Sequence, residues 1–212
     1  LAVDLSDEAL IDSFRKTKDA SLFKSLLRRY QNRIYGAAFR ILGNTEEAEE
    51  VVQETYIKVH QNLDKFKQQA SFGAWVFRIV HNLCVDALRA RQRKGGVQAV
   101  SFDPQVSSEH DEFVDNASAV ISQLADENAS PERQIDAAEQ NAMIEGSLKA
   151  LPETQRVVII LHDIEGFSYE EIAEIVGANL GTVRSRLHYG RIKLRQLLEP
   201  YFSSSNVSPA PR

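Results

Sequence analysis

The stretch TVRSRLHYGRIKLR, Thr182 to Arg195, holds Arg184, Ser185, Arg186, His188, Tyr189, Arg191, Lys193 and Arg195. No acid occurs from Leu180 to Leu198. Guanidinium, hydroxyl and imidazole groups gathered on one helix suit phosphate oxygens and base edges in the DNA major groove. A second candidate is FGAWVFRIVHNLCVDALRARQR, Phe72 to Arg93, where Phe72, Trp75 and Phe77 are mixed with Arg78, Arg89, Arg91 and Arg93. Rings stack on unpaired bases at roughly 1–3 kcal/mol per base while cations follow the phosphates. Each has a bland alternative, a solvated helix face for the first and ordinary core aromatics for the second. Catalytic chemistry finds no foothold. The five histidines are scattered without metal-ligand spacing, and no glycine-rich phosphate loop or nucleophile motif is present. No cofactor, metal or catalytic residue is therefore expected.

Two helices joined by a tight turn must hold the first group. Ser168 and Glu171 form an S-x-x-E capping box, and Ile172, Ile175 and Val176 share one helical face. Gly177 is suited to the left-handed residue that ends a helix, and Asn179 to the cap of the next. Val183, Leu187, Leu194 and Leu198 then recur at helical spacing and point inward. The pattern predicts a helix-turn-helix with a basic second helix. The helix over 154–164, with its apolar run Val157 to Leu161, would complete a small helical domain with one from about Pro131, whose apolar side is Ile135, Ala138, Ala142 and Leu148.

Upstream, Ser6 and Asn44 are candidate caps, and Gly43 ends a long helix. Leu10, Ile11 and Phe14, then Phe23, Leu26, Leu27, Tyr30, Ile34, Ala38, Phe39 and Leu42, repeat at helical spacing and are expected in the core. Ala48, Val52, Thr55, Tyr56 and Val59 form the expected buried stripe of the next helix. Glu50, Gln53, Glu54 and Ile57 lie on its other faces, and an exposed Ile57 beside polar groups suggests a docking surface. Residues 62–71 read as a polar loop. In the helix after it, Trp75, Ile79, Leu83 and Leu88 are the candidate inward residues.

Composition agrees with local rather than uniform nucleic-acid binding. The 212 residues are 43% hydrophobic and 26% charged with a net charge of −5, so DNA contacts must come from basic patches. The lone Cys84 excludes an internal disulfide and fits a core position. No apolar run approaches the ~20 residues of a spanning helix, and no signal-peptide pattern is seen, so no membrane insertion and a cytoplasmic location are expected. Leu1 does not read as a native start, and residues are expected upstream. From Val97 to Pro131 periodicity fades. Asp103, Glu109, Asp111, Glu112, Asp115, Asp126 and Glu127 occur there without one Lys or Arg, the pattern of an acidic linker. The expected plan is all-α, two small helical domains at 1–95 and 135–200, a flexible linker at 96–134, and a disordered tail at 201–212.

These motifs, in this order, resemble the bacterial sigma-70 superfamily, in particular the small extracytoplasmic-function (ECF) sigma factors. The likeness rests on RYQNRIYGAAFRILGN, EEVVQETYIKV and FGAWVFRIVHNLCVDALR in the first block. In the second it rests on ALPETQRVVIILHDIEGFSYEEIAEIVG and GTVRSRLHYGRIKLR. It implies a sigma region 2 that docks on the clamp helices of the RNA polymerase largest subunit through Glu50, Gln53, Glu54 and Ile57. It implies −10 recognition and melting by Lys65, Phe66, Ser71, Phe72, Trp75, Arg78, Asn82 and Arg89, with a flipped base taken by the 62–72 loop. It further implies a region 4 that meets the polymerase flap and reads the −35 element through Thr182, Arg184, Ser185, Arg186, His188, Tyr189 and Arg191. Promoter DNA, duplex and single-stranded, core polymerase and an anti-sigma factor are the implied partners. The chain departs from the family at Tyr189, where a basic residue is common, and at Gly190, where alanine is common. A stand-alone helix-turn-helix regulator is the alternative, since a repressor needs the C-terminal motif but not the docking and aromatic-basic helices.

Overall fold

A computed structural model of the chain describes residues 5–67, 70–94 and 131–205, with side chains from 140 to 201 in the last span. The described residues are helical, with no strand among them. In order they form α1 (Asp7–Thr17), α2 (Ala20–Leu42), α3 (Thr45–Asn62), a 3₁₀ turn (Leu63–Lys65), α4 (Phe72–Lys94), α5 (Pro131–Lys149), α6 (Glu153–Ile159), a π turn (Ile160–Ile164), α7 (Tyr169–Val176) and α8 (Leu180–Ser205). The chain divides into two compact units, one of residues 1–103 with 170–178, the other of 104–169 with 179–212.

In the first unit α2 is the central strut, packed against α1, α3 and α4. Local chemistry sets the ends. The Ala9 amide donates to Ser6 Oγ at 3.3 Å and the Glu47 amide to Asn44 Oδ1 at 2.8 Å, so both expected caps form. Gly43 takes the left-handed conformation at φ 65° and returns its amide to Phe39 O, closing α2. The buried faces include Ile11, Leu26, Ile34, Ala37, Ala38, Ala48, Val59, Phe77 and Cys84. Arg91 ties the far end of α4 to α3 and α2, pairing with the Glu47 carboxylate and donating to Leu42 O at 2.9 Å.

Two registers differ from the expectation. On α3 the buried residue is Val51 rather than Val52, and Tyr56 is only half-buried. On α4 the inward set is Phe72, Gly73, Ala74, Val76, Phe77, Val80 and Cys84, while Trp75, Ile79, Leu83 and Leu88 are half-buried. The run from Phe72 to Phe77 is apolar without a break, so two stripes compete, and the one carrying Gly73 and Ala74 permits the closer approach of neighbouring helices.

In the second unit α8 packs against α5 and α6. Val183, Leu187, Leu194 and Leu198 are all buried, as their spacing predicts. On α5, Ile144 and Leu148 are buried and Ala142 is exposed, which corrects that helix's expected face. The expected helix over 154–164 changes pitch at Ile160 and finishes as the π turn. Helix α8 continues through Pro200 to Ser205 rather than ending at the proline. Proline removes one amide donor, but its fixed φ is helical. The acidic stretch and the tail beyond 205 lie outside the described residues.

Candidate nucleic-acid interface

Helix α4 opens with a built aromatic corner. Ser71 caps it, accepting the Ala74 amide at 3.2 Å. The Phe66 and Phe72 rings lie 5.6 Å apart, and the Trp75 ring stands 5.1 Å from Phe66 and 5.7 Å from Phe72. Phe66 is 7% and Phe72 2% exposed, whereas Trp75 is half-buried. Of the three rings, then, only the indole presents much surface to a ligand, and the two phenyl rings hold it. Tyr30 packs edge-on to Phe72 at 5.3 Å from α2, and Arg33 covers the Tyr30 and Phe77 rings.

From Trp75 a polar stripe runs down the helix. Arg78, Asn82 and Arg89 are exposed at offsets of 3, 7 and 14 residues from the indole, which places all four on one face. Lys65 and Ser71 are exposed beside its upper end. Such a face can hold a base against the indole and its phosphates along the cations. On α3, Glu50 and Gln53 are exposed, Glu54 is half-exposed with Lys58 Nζ at 3.5 Å, and Ile57 is 50% exposed. Their spacing of 3, 4 and 7 gives one acidic-amide face around an uncovered aliphatic side chain.

In the second unit the recognition-type helix begins at a formed cap, with the Thr182 amide donating to Asn179 Oδ1 at 2.8 Å. The preceding Gly177 is left-handed at φ 65° and Ala178 returns its amide to Ala173 O, which closes α7 as its sequence predicts. Opposite the buried stripe of α8 lie Ser185, His188, Tyr189 and Ile192, at successive helical spacings. Arg184 flanks this line on one side, and Arg186 and Lys193 on the other. Tyr189 is 38% and Ile192 41% exposed, and the His188 and Tyr189 rings meet edge-on at 5.1 Å. Ile192 was not among the residues singled out from sequence. Its spacing from Ser185 and His188 is the signal that could have found it.

Arg191 belongs elsewhere. Its Nε donates to Asp163 Oδ2 at 3.0 Å and its Nη2 to Asp163 Oδ1, with the Asp163 side chain 1% exposed and that of Arg191 14%. Burial alone would lower the guanidinium's proton affinity, but the Asp163 carboxylate outweighs it and the net shift is upward. A forked pair between the π turn and α8 orients the helix and leaves this guanidinium little freedom for DNA. Beside it the His162 ring packs on Tyr169 at 4.9 Å, with Nδ1 2.8 Å from Phe167 O. No group of three or more metal-ligating side chains occurs among the described residues.

Residues 26–94 match the Sigma-70 region 2 family and residues 142–194 the Sigma-70, region 4 family. The ECF RNA polymerase sigma factor SigE of Mycolicibacterium smegmatis is 33% identical over 97% of this chain and 74% of its own length. The chain belongs to the ECF sigma-70 factors. A second relative of this sigma factor, the ECF RNA polymerase sigma factor SigW of Bacillus subtilis, is 31% identical over 86% of this chain and 92% of its own. Among solved structures, the sigma factor RpoE of Bartonella quintana, in complex with the anti-sigma factor NepR, is 26% identical. It superposes with a TM-score of 0.59 over 84% of this chain and 96% of that one. The sigma factor is a promoter-directing transcription initiation factor with a region 4 helix-turn-helix. The stand-alone regulator is not favoured, because both sigma regions occur in one chain in the family's order. The family is non-catalytic.

Proposed function

We propose that this sigma factor divides promoter recognition between its two ends while core RNA polymerase supplies all the chemistry, the chain itself being no enzyme. Residues 1–95 act as the docking and −10 domain, the acidic stretch up to α5 as a linker, α5 to α8 (Pro131 to Ser205) as the −35 domain, and 206–212 as a tail. The observation that carries the reading is the half-exposed Trp75 ring, buttressed by Phe66 and Phe72 at the head of the Arg78–Asn82–Arg89 stripe. A protein that only grips duplex DNA has no use for an indole so held. A factor that captures a base from the opened strand does, because stacking offsets the few kcal/mol of unstacking.

Within that scheme Glu50, Gln53, Glu54 and Ile57 meet the clamp helices of the largest subunit, and region 4 meets the flap. Lys65, Ser71, Trp75, Arg78, Asn82 and Arg89 face the melted −10 strand and its upstream duplex, with Phe66 and Phe72 as the wall behind. Thr182, Arg184, Ser185, Arg186, His188 and Tyr189 read or grip the −35 element, and Arg191 holds their helix in place. An anti-sigma factor, as in the complex of the Bartonella relative, is the expected regulator. The sigma factor's role on polymerase gives it a cytoplasmic site of action; among the described residues no helix is long and apolar enough to cross a membrane.

Run-off transcription with core polymerase on promoters found upstream of transcripts induced by overproduction tests the whole. Trp75→Ala is expected to impair open-complex formation more than holoenzyme assembly. Equal loss of both in a folded protein would remove the melting role.

A further inference from the structure

The last turn of α1 is fastened to the turn that leads into the −10 loop. Arg15 Nη2 donates to Leu63 O at 2.8 Å and also to Phe66 O. Phe66 returns its own amide to Leu63 O at 3.2 Å, so the guanidinium bridges the two carbonyls at either end of one tight turn. Three residues on, Lys18 Nζ lies 2.9 and 3.1 Å from the two Asp64 carboxylate oxygens, inside the same turn. Lys18 is held for this by its left-handed backbone, φ 53°, which caps α1 through a bond to Phe14 O at 2.7 Å. Phe14 in turn packs with Phe23 at 5.4 Å and His60 at 6.3 Å, joining α1 to the start of α2 and the end of α3. Helix α1 lies ahead of the region 2 match, which begins at residue 26.

We infer that Arg15 is a positioning residue for −10 recognition, acting as a latch that fixes the Leu63–Phe66 turn and, through the Phe66 ring, the Trp75 indole. The inference rests on the −10 reading of this loop proposed above. The geometry has a simple consequence. A 3₁₀ turn has few internal bonds of its own. With two carbonyls bound by the two N–H groups of one guanidinium nitrogen, the backbone cannot swing without straining both bonds. The Arg15 Nε is buried without a hydrogen-bond partner, so the two carbonyl bonds of Nη2 are the contacts that hold this guanidinium to the turn. Asp12 Oδ1 lies 3.9 Å from Nη1 on the same helix. What α1 offers the promoter is then indirect: it sets the pose of the loop and touches no base.

The test uses holoenzyme assembled from core polymerase and the full chain. The probe is a fluorescent single-stranded −10 oligonucleotide carrying each of the four bases in turn at each position. Arg15→Gln, whose amide nitrogen is two bonds nearer the backbone and uncharged and so cannot reach the two carbonyls, is expected to compress the difference between best and worst base by roughly tenfold, the scale of one base-specific contact. Holoenzyme assembly and −35 discrimination on duplex should stay within about twofold of wild type, since neither surface involves this turn. Arg15→Lys and Lys18→Ala, milder changes that leave the fold intact, should compress it less and in the same direction. Phe66→Ala serves as the control for the loop. Compression by Phe66→Ala with wild-type base preference in all three α1 variants would overturn the latch and leave the −10 reading standing. Unchanged preference in all four would remove the reading and the latch together.

Discussion

A single guanidinium shows what charge counting along a sequence leaves out. Arg191 stands in the acid-free stretch with Arg184 and Arg186, and nothing local marks it as different. Its partner Asp163 is 28 residues away in sequence, and only the fold brings the two together. Breaking a buried pair from one side strands the other charge at a cost of about 3–5 kcal/mol. Arg191→Ala and Asp163→Ala are each expected to lower the stability of the second unit by that order. The double variant should lose less than the sum by about 1–3 kcal/mol, since contacting residues couple. Urea unfolding of the four proteins measures this, and strictly additive losses would contradict the pairing. Tyr30 gives a second residue-scale outcome. Burial first, and then its hydrogen bond to Asp7, push the phenol's ionisation well above its ordinary value near 10. The unfolded chain therefore loses this proton before the folded one does. The contribution is complete below about pH 10 and declines as pH rises toward the folded value, by up to about 1.4 kcal/mol per pH unit. Tyr30→Phe should remove that alkaline slope in pH-dependent unfolding, and an identical slope would show that the phenol stays accessible.

At the scale of elements, the helices, several of their caps and the second buried stripe were legible because each has a local cause, whereas the Asp19 and Ser71 caps were not singled out. Ser6, Asn44, Asn179, Gly43 and Gly177 act within one turn of their own positions. The faces of α4 and α5 were less legible. In α4 apolar residues occupy two adjoining stripes, and in α5 alanines offer too little contrast to fix the inward side. The π turn was not legible at all, because one wider loop of helix needs no special residue. Gly190 is intermediate: its type was visible, its purpose was not. A Cβ there would meet Ile159 Cδ1 at 2.8 Å and Gln155 Cβ at 3.2 Å, so the glycine marks the close crossing of α6 and α8. The Ile159 methyl can move, but the Gln155 Cβ moves only with the α6 backbone. In Gly190→Ala the helix propensity gain of about 1 kcal/mol should largely offset the crowding, leaving stability within about 1 kcal/mol of wild type. Gly190→Val cannot be absorbed and should cost about 2–3 kcal/mol, with weakened −35 binding as α8 is pushed off α6. Thermal unfolding and duplex binding by holoenzyme check both. A stable Gly190→Val protein with unchanged −35 affinity would show that the crossing is loose.

The whole molecule is net acidic at −5, yet it must approach a polyanion. Segregation resolves this: α8 from Leu180 to Leu198 carries no acid, and the described cations of the α4 stripe sit on one face. The acidic remainder repels DNA at longer range, which favours binding only where the patches are aligned, as when the chain is mounted on polymerase. Sequence alone made the two patches visible. It could not say which cations are committed to carbonyls or carboxylates, as Arg15, Arg91 and Arg191 are, and which face solvent. Arg184 and Lys193 both face solvent on α8, on opposite sides of the Ser185–Ile192 line. Their roles separate by salt. A cation that only neutralises phosphate contributes about 0.9 to the slope of log affinity against log salt and carries no sequence information. Lys193→Ala is therefore expected to reduce the slope for holoenzyme on a cognate −35 duplex by about one, weakening matched and mismatched sites alike. Arg184→Ala, at a position proposed to read a base, should instead cost about 1–3 kcal/mol of preference for the matched site. Binding titrations at four salt concentrations on matched and mismatched duplexes distinguish the two. If both variants lowered the slope and left the preference intact, Arg184 would join the phosphate contacts, and the reading edge of α8 would narrow to Ser185, His188, Tyr189 and Ile192.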